Sequence, residues 1–135
     1  MRRWFAILLA VPAAAFAEAG TELFESKIRP LLVEHCYECH SAEKTKGGLA
    51  LDTKAGWEKG GDSGPAILPG KPDESLLIKA VRYHDEDLAM PPQKKGGKLP
   101  DSAIAALTEW VKMGAPDPRV AEAKLAGMKA AEAKS

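Results

Sequence analysis

The sequence predicts a small all-α domain of three to four helices with one long glycine-rich loop. Three segments place apolar residues at spacings of three and four, which is the periodicity of a helix that buries one face. These segments lie at 21–35, 70–84 and 99–114. The segment 41–71 holds seven of the chain's twelve glycines. No segment shows convincing strand alternation, so we do not expect a sheet.

The first predicted helix spans 21–35, with Thr21 as its N-cap residue. Pro30 lacks a backbone N–H and is expected to kink or restart this helix. Its apolar face consists of Phe24, Ile28, Leu31 or Leu32, and His35. Within the glycine-rich loop, about one turn of helix is expected at 53–59.

The other two predicted helices each begin with a proline followed by acidic residues, which suits the first helical turn. Pro72 and Pro100 hold this first position. The helix after Pro72 presents one apolar face made of Leu77, Ala80, Val81 and His84. The helix after Pro100 ends at Gly114, and its apolar stripe is formed by Ile104, Leu107, and Trp110 or Val111.

The N-terminal residues 1–17 have the pattern of an export signal. Arg2 and Arg3 precede an apolar run that ends in the cleavage motif Ala15-Phe16-Ala17. The run is shorter than the ~20 residues that span a bilayer. We therefore expect cleavage, no stable membrane insertion afterwards, and a periplasmic or otherwise exported protein. The alternative is an uncleaved membrane anchor.

Cleavage leaves one domain at 21–118, which is expected to be a monomer, and a tail at 119–135. The tail is rich in Ala, Glu and Lys, and we expect it to be loosely helical or disordered. Without Arg2 and Arg3 the chain has 17 basic residues against 19 acidic ones. This balance argues against nucleic acid as a partner.

Two cysteines and two histidines fall within the six residues 35–40, which read HCYECH. A zinc site usually takes four ligands in two spaced pairs, and a thioredoxin-like dithiol belongs to a βαβ unit. The chain offers neither pattern. C-x-x-C-H is the attachment motif for c-type haem, where two thiols bond to the vinyl groups and the histidine ligates iron. We expect one covalent haem c on Cys36 and Cys39, with iron bound by His40.

Met90 is the strongest candidate for the second iron ligand, since methionine and histidine are the usual choices. Pro91 and Pro92 follow it, so its backbone should be extended and its loop stiff. His84 stays open as the alternative ligand. Three other candidates fit less well, namely Met113 at a helix end, Met128 in the tail and His35 beside the motif.

Three stretches resemble the planctomycete-type cytochrome c domain, a class I-like c-type cytochrome. They read FESKIRPLLVEHCYECHSAEKTKGGLALDT, GGDSGPAILPGKPDESLLIKAV and DEDLAMPPQKKGGKLPDSAIAALTEWVKMGAPDPR, and together cover about 24–119. The resemblance implies a small all-helical cytochrome c fold with covalent haem on Cys36 and Cys39. It also implies His40 as the proximal ligand and supports Met90 as the distal one. In that family the domain often stands at the start of much longer exported proteins, whereas this sequence stops soon after it. A free-standing carrier is therefore one interpretation, and the roles of the longer relatives do not transfer to it.

The expected function is one-electron transfer between redox protein partners, without an enzymatic acid, base or nucleophile. The alternative is a haem enzyme or a gas or redox sensor whose distal iron position is open or labile. A docking module for a separate enzyme is a third possibility.

Further residues are expected near the haem or in the core. Leu49 and Leu51 are expected to pack on the haem, and Trp110 belongs to the core where the last helix crosses the first. Trp57 is expected in the core, with a hydrogen bond to a haem propionate as the alternative. Five lysines could guide an acidic partner, although a solvated surface is the simpler interpretation: Lys44, Lys46, Lys94, Lys95 and Lys98.

Overall fold

The computed structural model describes residues 6–10, 13–119 and 131–132. Within these ranges the α-helices are α1 Ala13–Leu23, α2 Arg29–His35, α3 Lys54–Lys59, α4 Leu76–Val81 and α5 Asp101–Lys112. Short 3-10 turns lie at Lys46–Gly48, Pro72–Glu74 and Gln93–Lys95. The described residues form no strand and contain only two isolated β-bridges. The all-α prediction is therefore confirmed.

Two sequence predictions extend beyond the described residues. The predicted signal peptide includes 1–5 and 11–12, and the predicted tail includes 120–130 and 133–135, none of which the structure describes. The export signal and the loose tail therefore remain predictions. Arg119 is an exception, because the structure buries its side chain in the domain.

The first helical segment is longer than the sequence predicts. Helix α1 begins at Ala13, so Thr21 lies inside a helix, and its assignment as N-cap is wrong. A π-helical turn at Phe24–Ile28 joins α1 to α2, with the Arg29 N–H bonded to the Phe24 carbonyl. Pro30 stands in the first turn of α2, where its missing N–H is tolerated. The predicted restart at Pro30 therefore takes the form of this π turn.

An aromatic cluster joins this first segment to α5 and α3. The Phe24 and Trp110 ring centroids are 5.8 Å apart, and those of Trp57 and Trp110 are 6.1 Å apart. All three side chains are buried. Trp110 thus occupies the predicted core position where the last helix packs on the first.

Helix α5 confirms the predicted helix, except that Pro100 is its N-cap residue and not its first helical residue, whereas α4 is shorter than expected. Asp101 starts α5, and Gly114 follows it with φ +99°. The second predicted helix is split, because Ser75 is extended between the turn at Pro72–Glu74 and α4. The buried Ser75 hydroxyl accepts from the Leu68 N–H and donates to the Lys71 carbonyl, both at 2.9 Å. These bonds satisfy loop groups that a continuous helix would leave unpaired.

The glycine-rich segment folds around α3, the predicted turn of helix. The Thr53 side chain caps α3 by accepting from the Gly56 N–H at 2.9 Å. Beyond α3 the chain returns to the first half of the loop, where the Asp62 N–H donates to the Gly47 carbonyl at 2.8 Å. Backbone therefore packs directly on backbone here.

Gly60 is expected to be the more sensitive of two glycines in this return. Its φ of +77° and ψ of −174° lie in a region that is essentially restricted to glycine. A Cβ there would also stand 2.7 Å from the Gly64 carbonyl oxygen, whereas a Cβ at Gly64 would meet nothing within 4 Å. We expect Gly60→Ala to lower the free energy of unfolding by about 2–3 kcal/mol.

Gly64→Ala is the matched control, because Gly64 also has a positive φ, of +96°. We expect Gly64→Ala to lower the free energy of unfolding less than Gly60→Ala does, by about 1 kcal/mol or more. Denaturant unfolding of both variants measures the difference. Equal losses would mean that the contact with the Gly64 carbonyl has no energetic effect.

Candidate functional site

A cavity of about 320 Å³ lies between the end of α2, the loops on both sides of α3, helix α4 and the loop after α4. Its size and its mainly apolar walls are typical of a cofactor or ligand site. The apolar walls are built by Leu49, Leu51, Ala66, Leu77, Ala80 and Val81.

The attachment motif, residues 36–40, forms one helical turn that continues from α2 and is called the attachment turn below. The Cys36 N–H bonds to the Leu32 carbonyl at 2.9 Å, and the His40 N–H bonds to the Cys36 carbonyl at 2.9 Å. Residues three apart on such a turn face the same side. Cys36 and Cys39 accordingly line the same cavity, and both thiols are free.

The environment of Cys36 favours a neutral sulfur. Burial, and next the neighbouring Cys39, raise the pKa of the Cys36 thiol to about 11. The protonated thiol is thus the stable form in the cavity at neutral pH.

We expect slow alkylation of Cys36 in haem-free protein at pH 8, because the thiolate is the reactive form. The rate should keep rising as the pH approaches 11, the pKa of this thiol. Peptide mass mapping after iodoacetamide treatment would follow Cys36 separately from Cys39. The denatured chain is the control. A midpoint near the usual thiol pKa of ~8.5 in the folded protein would contradict the burial of Cys36.

His40 is held in one orientation by the loop that follows it. Its Nδ1 lies 3.3 Å from the Leu49 carbonyl oxygen, and its own carbonyl accepts the Leu51 N–H at 2.8 Å. A carbonyl can only accept, so Nδ1 carries the proton and Nε2 of the neutral ring keeps its lone pair. A metal-binding histidine is usually oriented by such a bond. His40 lines the cavity, as a ligand there must.

Met90 reaches the same cavity from the loop after α4. Its N–H donates to the Ala80 carbonyl at 3.1 Å. The Tyr83 hydroxyl donates to the Pro91 carbonyl, so the loop is fixed on both sides of the Met90–Pro91 bond. The Met90 residue is 38% exposed, and its thioether is a large apolar group on the cavity wall.

The alternative ligands differ from Met90 in position. His84 is exposed beyond the end of α4 and does not line the cavity. Met113 follows α5 and is also absent from the cavity walls. His35 does line the cavity, with Nε2 3.7 Å from a Glu34 carboxylate oxygen. Met128 lies outside the described residues.

These residues fit a covalently attached haem. The cavity combines apolar walls, two free thiols on one turn, an oriented imidazole and a thioether. Soft sulfur and imidazole donors of this kind are the usual axial ligands of haem iron in cytochromes c.

Residues 36–94 match the family described as Planctomycete cytochrome C. The matched range contains all four predicted site residues, from Cys36 to Met90. This segment is therefore similar to the planctomycete-type cytochrome c domain. The family implies haem c as cofactor and indicates a haem-binding electron carrier. No curated protein and no solved structure gives a significant match to the chain.

The rim of the cavity carries both signs of charge. Lys95 Nζ lies 2.5 Å from Glu38 Oε1, which connects the attachment turn to the loop after Met90. The hydrogen bond from Lys95 lowers the pKa of Glu38, and that bond raises the pKa of Lys95. Both groups are exposed, so this pair adds little stability.

The other predicted lysines are also exposed. Lys46 and Lys94 line the cavity, as do the acidic Glu34 and Asp87. Lys98 faces Asp101 at 3.9 Å, and Lys44 lies on the exposed loop after the attachment turn. Guidance of an acidic partner by these lysines remains a prediction.

The three residues predicted to contact the haem have different outcomes. Leu49 and Leu51 line the cavity, as packing on a haem requires. Trp57 does not line it, and its indole N–H donates to Asp117 Oδ2 at 3.0 Å. The core interpretation of Trp57 is thus confirmed, and the propionate alternative is wrong because this N–H already has a buried partner.

Sequence reasoning missed Asp117 and Arg119, which lie after α5. The Arg119 guanidinium bonds to the Tyr37 hydroxyl at 2.9 Å, inside the attachment motif. The string Pro116-Asp117-Pro118-Arg119 carries no local signal for a partner so distant in sequence.

Among the residues that the structure describes, no helix is both long enough and apolar enough to span a bilayer.

Proposed function

We propose that this protein is an exported mono-haem c-type cytochrome that carries single electrons between redox protein partners. Haem c is attached to Cys36 and Cys39, and the iron is ligated by His40 and Met90. The observation that carries this proposal is the convergence of these four side chains on one apolar cavity.

The role proposed for the chain is to hold the iron ligands fixed. The bound haem supplies one-electron chemistry through its ferrous and ferric iron. His40 is held by the Leu49 carbonyl, and Met90 is held by bonds on both sides of the Met90–Pro91 peptide. Ligands fixed in this way move little between oxidation states, which suits an electron carrier. No acid, base or nucleophile is needed, so we propose no enzymatic activity.

Export agrees with the chemistry of the motif. The attachment of haem to a C-x-x-C-H turn takes place outside the cytoplasm, where the predicted signal at 1–17 would deliver the chain. We propose a monomer that meets its donor and acceptor at the cavity rim, where mixed charges favour transient protein contacts.

An optical redox titration of the purified protein tests this function. We expect reversible one-electron behaviour, a weak red-region band of methionine–ferric bonding, and slow or absent carbon monoxide binding by the ferrous form. The alternative is an enzyme or sensor with an open distal position, which the 38% exposure of Met90 favours. Rapid carbon monoxide binding and no red-region band would support that alternative and contradict the carrier.

A further inference from the structure

A buried ion pair after α5 touches the attachment turn. The Arg119 and Asp117 side chains are 5% and 0% exposed, with Nη2 of the arginine 2.6 Å from Oδ2 of the carboxylate. Arg119 Nε adds a second bond, to Oδ1 at 2.9 Å. The Arg119 guanidinium also lies 5.0 Å from the centroid of the Phe24 ring. The geometry is bidentate, which is the strong form of an arginine–carboxylate pair.

The Arg119 side chain bonds to two residues near His40, one in the attachment turn and one in the loop that follows it. Its Nη1 donates to the Tyr37 hydroxyl at 2.9 Å and to the Leu51 carbonyl at 2.7 Å. Tyr37 stands between the two cysteines, and Leu51 bonds through its own N–H to the His40 carbonyl at 2.8 Å. Burial raises the pKa of Tyr37, so its hydroxyl is neutral and can accept from the guanidinium.

Asp117 is charged in this setting and balances the arginine. Burial alone would raise the pKa of Asp117, but hydrogen bonds from Arg119 and Trp57 outweigh burial and lower it. The pair is therefore neutral as a whole. Neutralising either partner would leave one unbalanced charge in a site where water screens it poorly.

We propose that the charges of Arg119 and Asp117, which balance each other beside the attachment turn, tune the reduction potential of the haem. This inference rests on the proposed function. Burial, dielectric environment and nearby hydrogen bonds are established means by which a protein tunes haem iron. The pair differs from the four site residues because it neither attaches the haem nor ligates the iron.

The sign of each effect follows from electrostatics. Ferric iron carries one more positive charge than ferrous iron. An unbalanced Arg119 guanidinium therefore favours the ferrous form and raises the potential, whereas an unbalanced Asp117 carboxylate favours the ferric form and lowers it. If the pair only supported the fold, removing either charge would shift the potential in the same direction, because both changes would loosen the core and admit water.

The test uses Asp117→Asn and Arg119→Gln in the full haem-bearing chain, measured by spectroelectrochemistry. We expect Asp117→Asn to shift the reduction equilibrium toward ferrous protein by about threefold to tenfold, and Arg119→Gln to shift it toward ferric protein by a similar factor. Shifts of the same sign, or no shift in either variant, would overturn the proposal.

Arg82 and Asp73 offer a control, since their ion pair at 2.9 Å is open to solvent, with the side chains of Arg82 and Asp73 29% and 85% exposed. Asp73→Asn and Arg82→Gln make the same charge changes in a solvent-screened place. We expect each to shift the reduction equilibrium by less than about twofold. Surface shifts as large as those at the buried pair would also overturn the proposal.

Charge-conserving variants cover the case in which the neutral ones fail to fold. Arg119→Lys and Asp117→Glu keep both charges, and we expect the reduction equilibrium to stay within about twofold of the unchanged protein. A larger fall in potential in both would contradict an electrostatic role. If the protein without substitutions were colourless, the proposed function itself would be contradicted. Failure of the electrostatic inference and failure of the proposed function are therefore distinguishable.

Discussion

Replacing both Cys36 and Cys39 with alanine is expected to yield protein from which acid-organic extraction removes all of the pigment. Both thiols are free and line the cavity. The sequence contains no other cysteine. Without them no thioether bond can form, and only coordination and apolar contact would hold a haem. Absorbance of the protein and organic phases after extraction measures the effect.

The single variants Cys36→Ala and Cys39→Ala are the controls. Each keeps one thiol, so part of the pigment should stay with the protein through one thioether bond. If the double variant retained its pigment through extraction, the proposed attachment at this turn would be wrong.

Met90→Ala is expected to convert the iron from six-coordinate to open or water-bound. The red-region band of the ferric protein should disappear, and carbon monoxide should bind the ferrous form at least about tenfold faster. The reduction potential should fall, because methionine ligation raises it. The Met90 N–H donates to the Ala80 carbonyl and the Pro91 carbonyl accepts from Tyr83, so only backbone groups of the loop are involved and the loop is expected to keep its place in the variant. Stopped-flow mixing with carbon monoxide gives the rate.

Met113→Ala provides a matched control, because Met113 is 37% exposed and does not line the cavity. Its spectrum and carbon monoxide rate should equal those of the unchanged protein. A Met90→Ala variant that keeps its band would exclude Met90 as the ligand. If His84→Ala then changed the spectrum, the alternative ligand would be correct.

The spacing of apolar residues and the helix-ending glycine were sufficient to predict the last helix and its end. The stripe on α5 buries Leu107, Trp110 and Val111, and the positive φ of Gly114 follows from the C-terminal glycine. The sequence also predicted that the two thiols lie on one side of a turn, because haem attachment to C-x-x-C-H requires it, and both thiols line the cavity. The sequence favours Met90 as the second ligand because proline follows it, and this assignment stays a prediction, although Met90 lines the cavity.

Contacts between distant segments explain what the sequence did not predict. Helix α1 continues past Thr21, and the buried Gly20 packs so closely that a Cβ there would lie 2.5 Å from Pro116 Cγ. Arg119 bonds to Tyr37 and Leu51 across separations of 82 and 68 residues. Periodicity and caps carry no information about such pairs.

The intact mass of the denatured protein, purified from a host that matures c-type haem, decides whether haem is covalently attached. We expect a polypeptide cleaved after Ala17 whose mass is increased by one haem. The added mass should map to the peptide that contains Cys36 and Cys39. A polypeptide mass without haem, in protein from a competent host, would contradict covalent attachment and with it the proposed function.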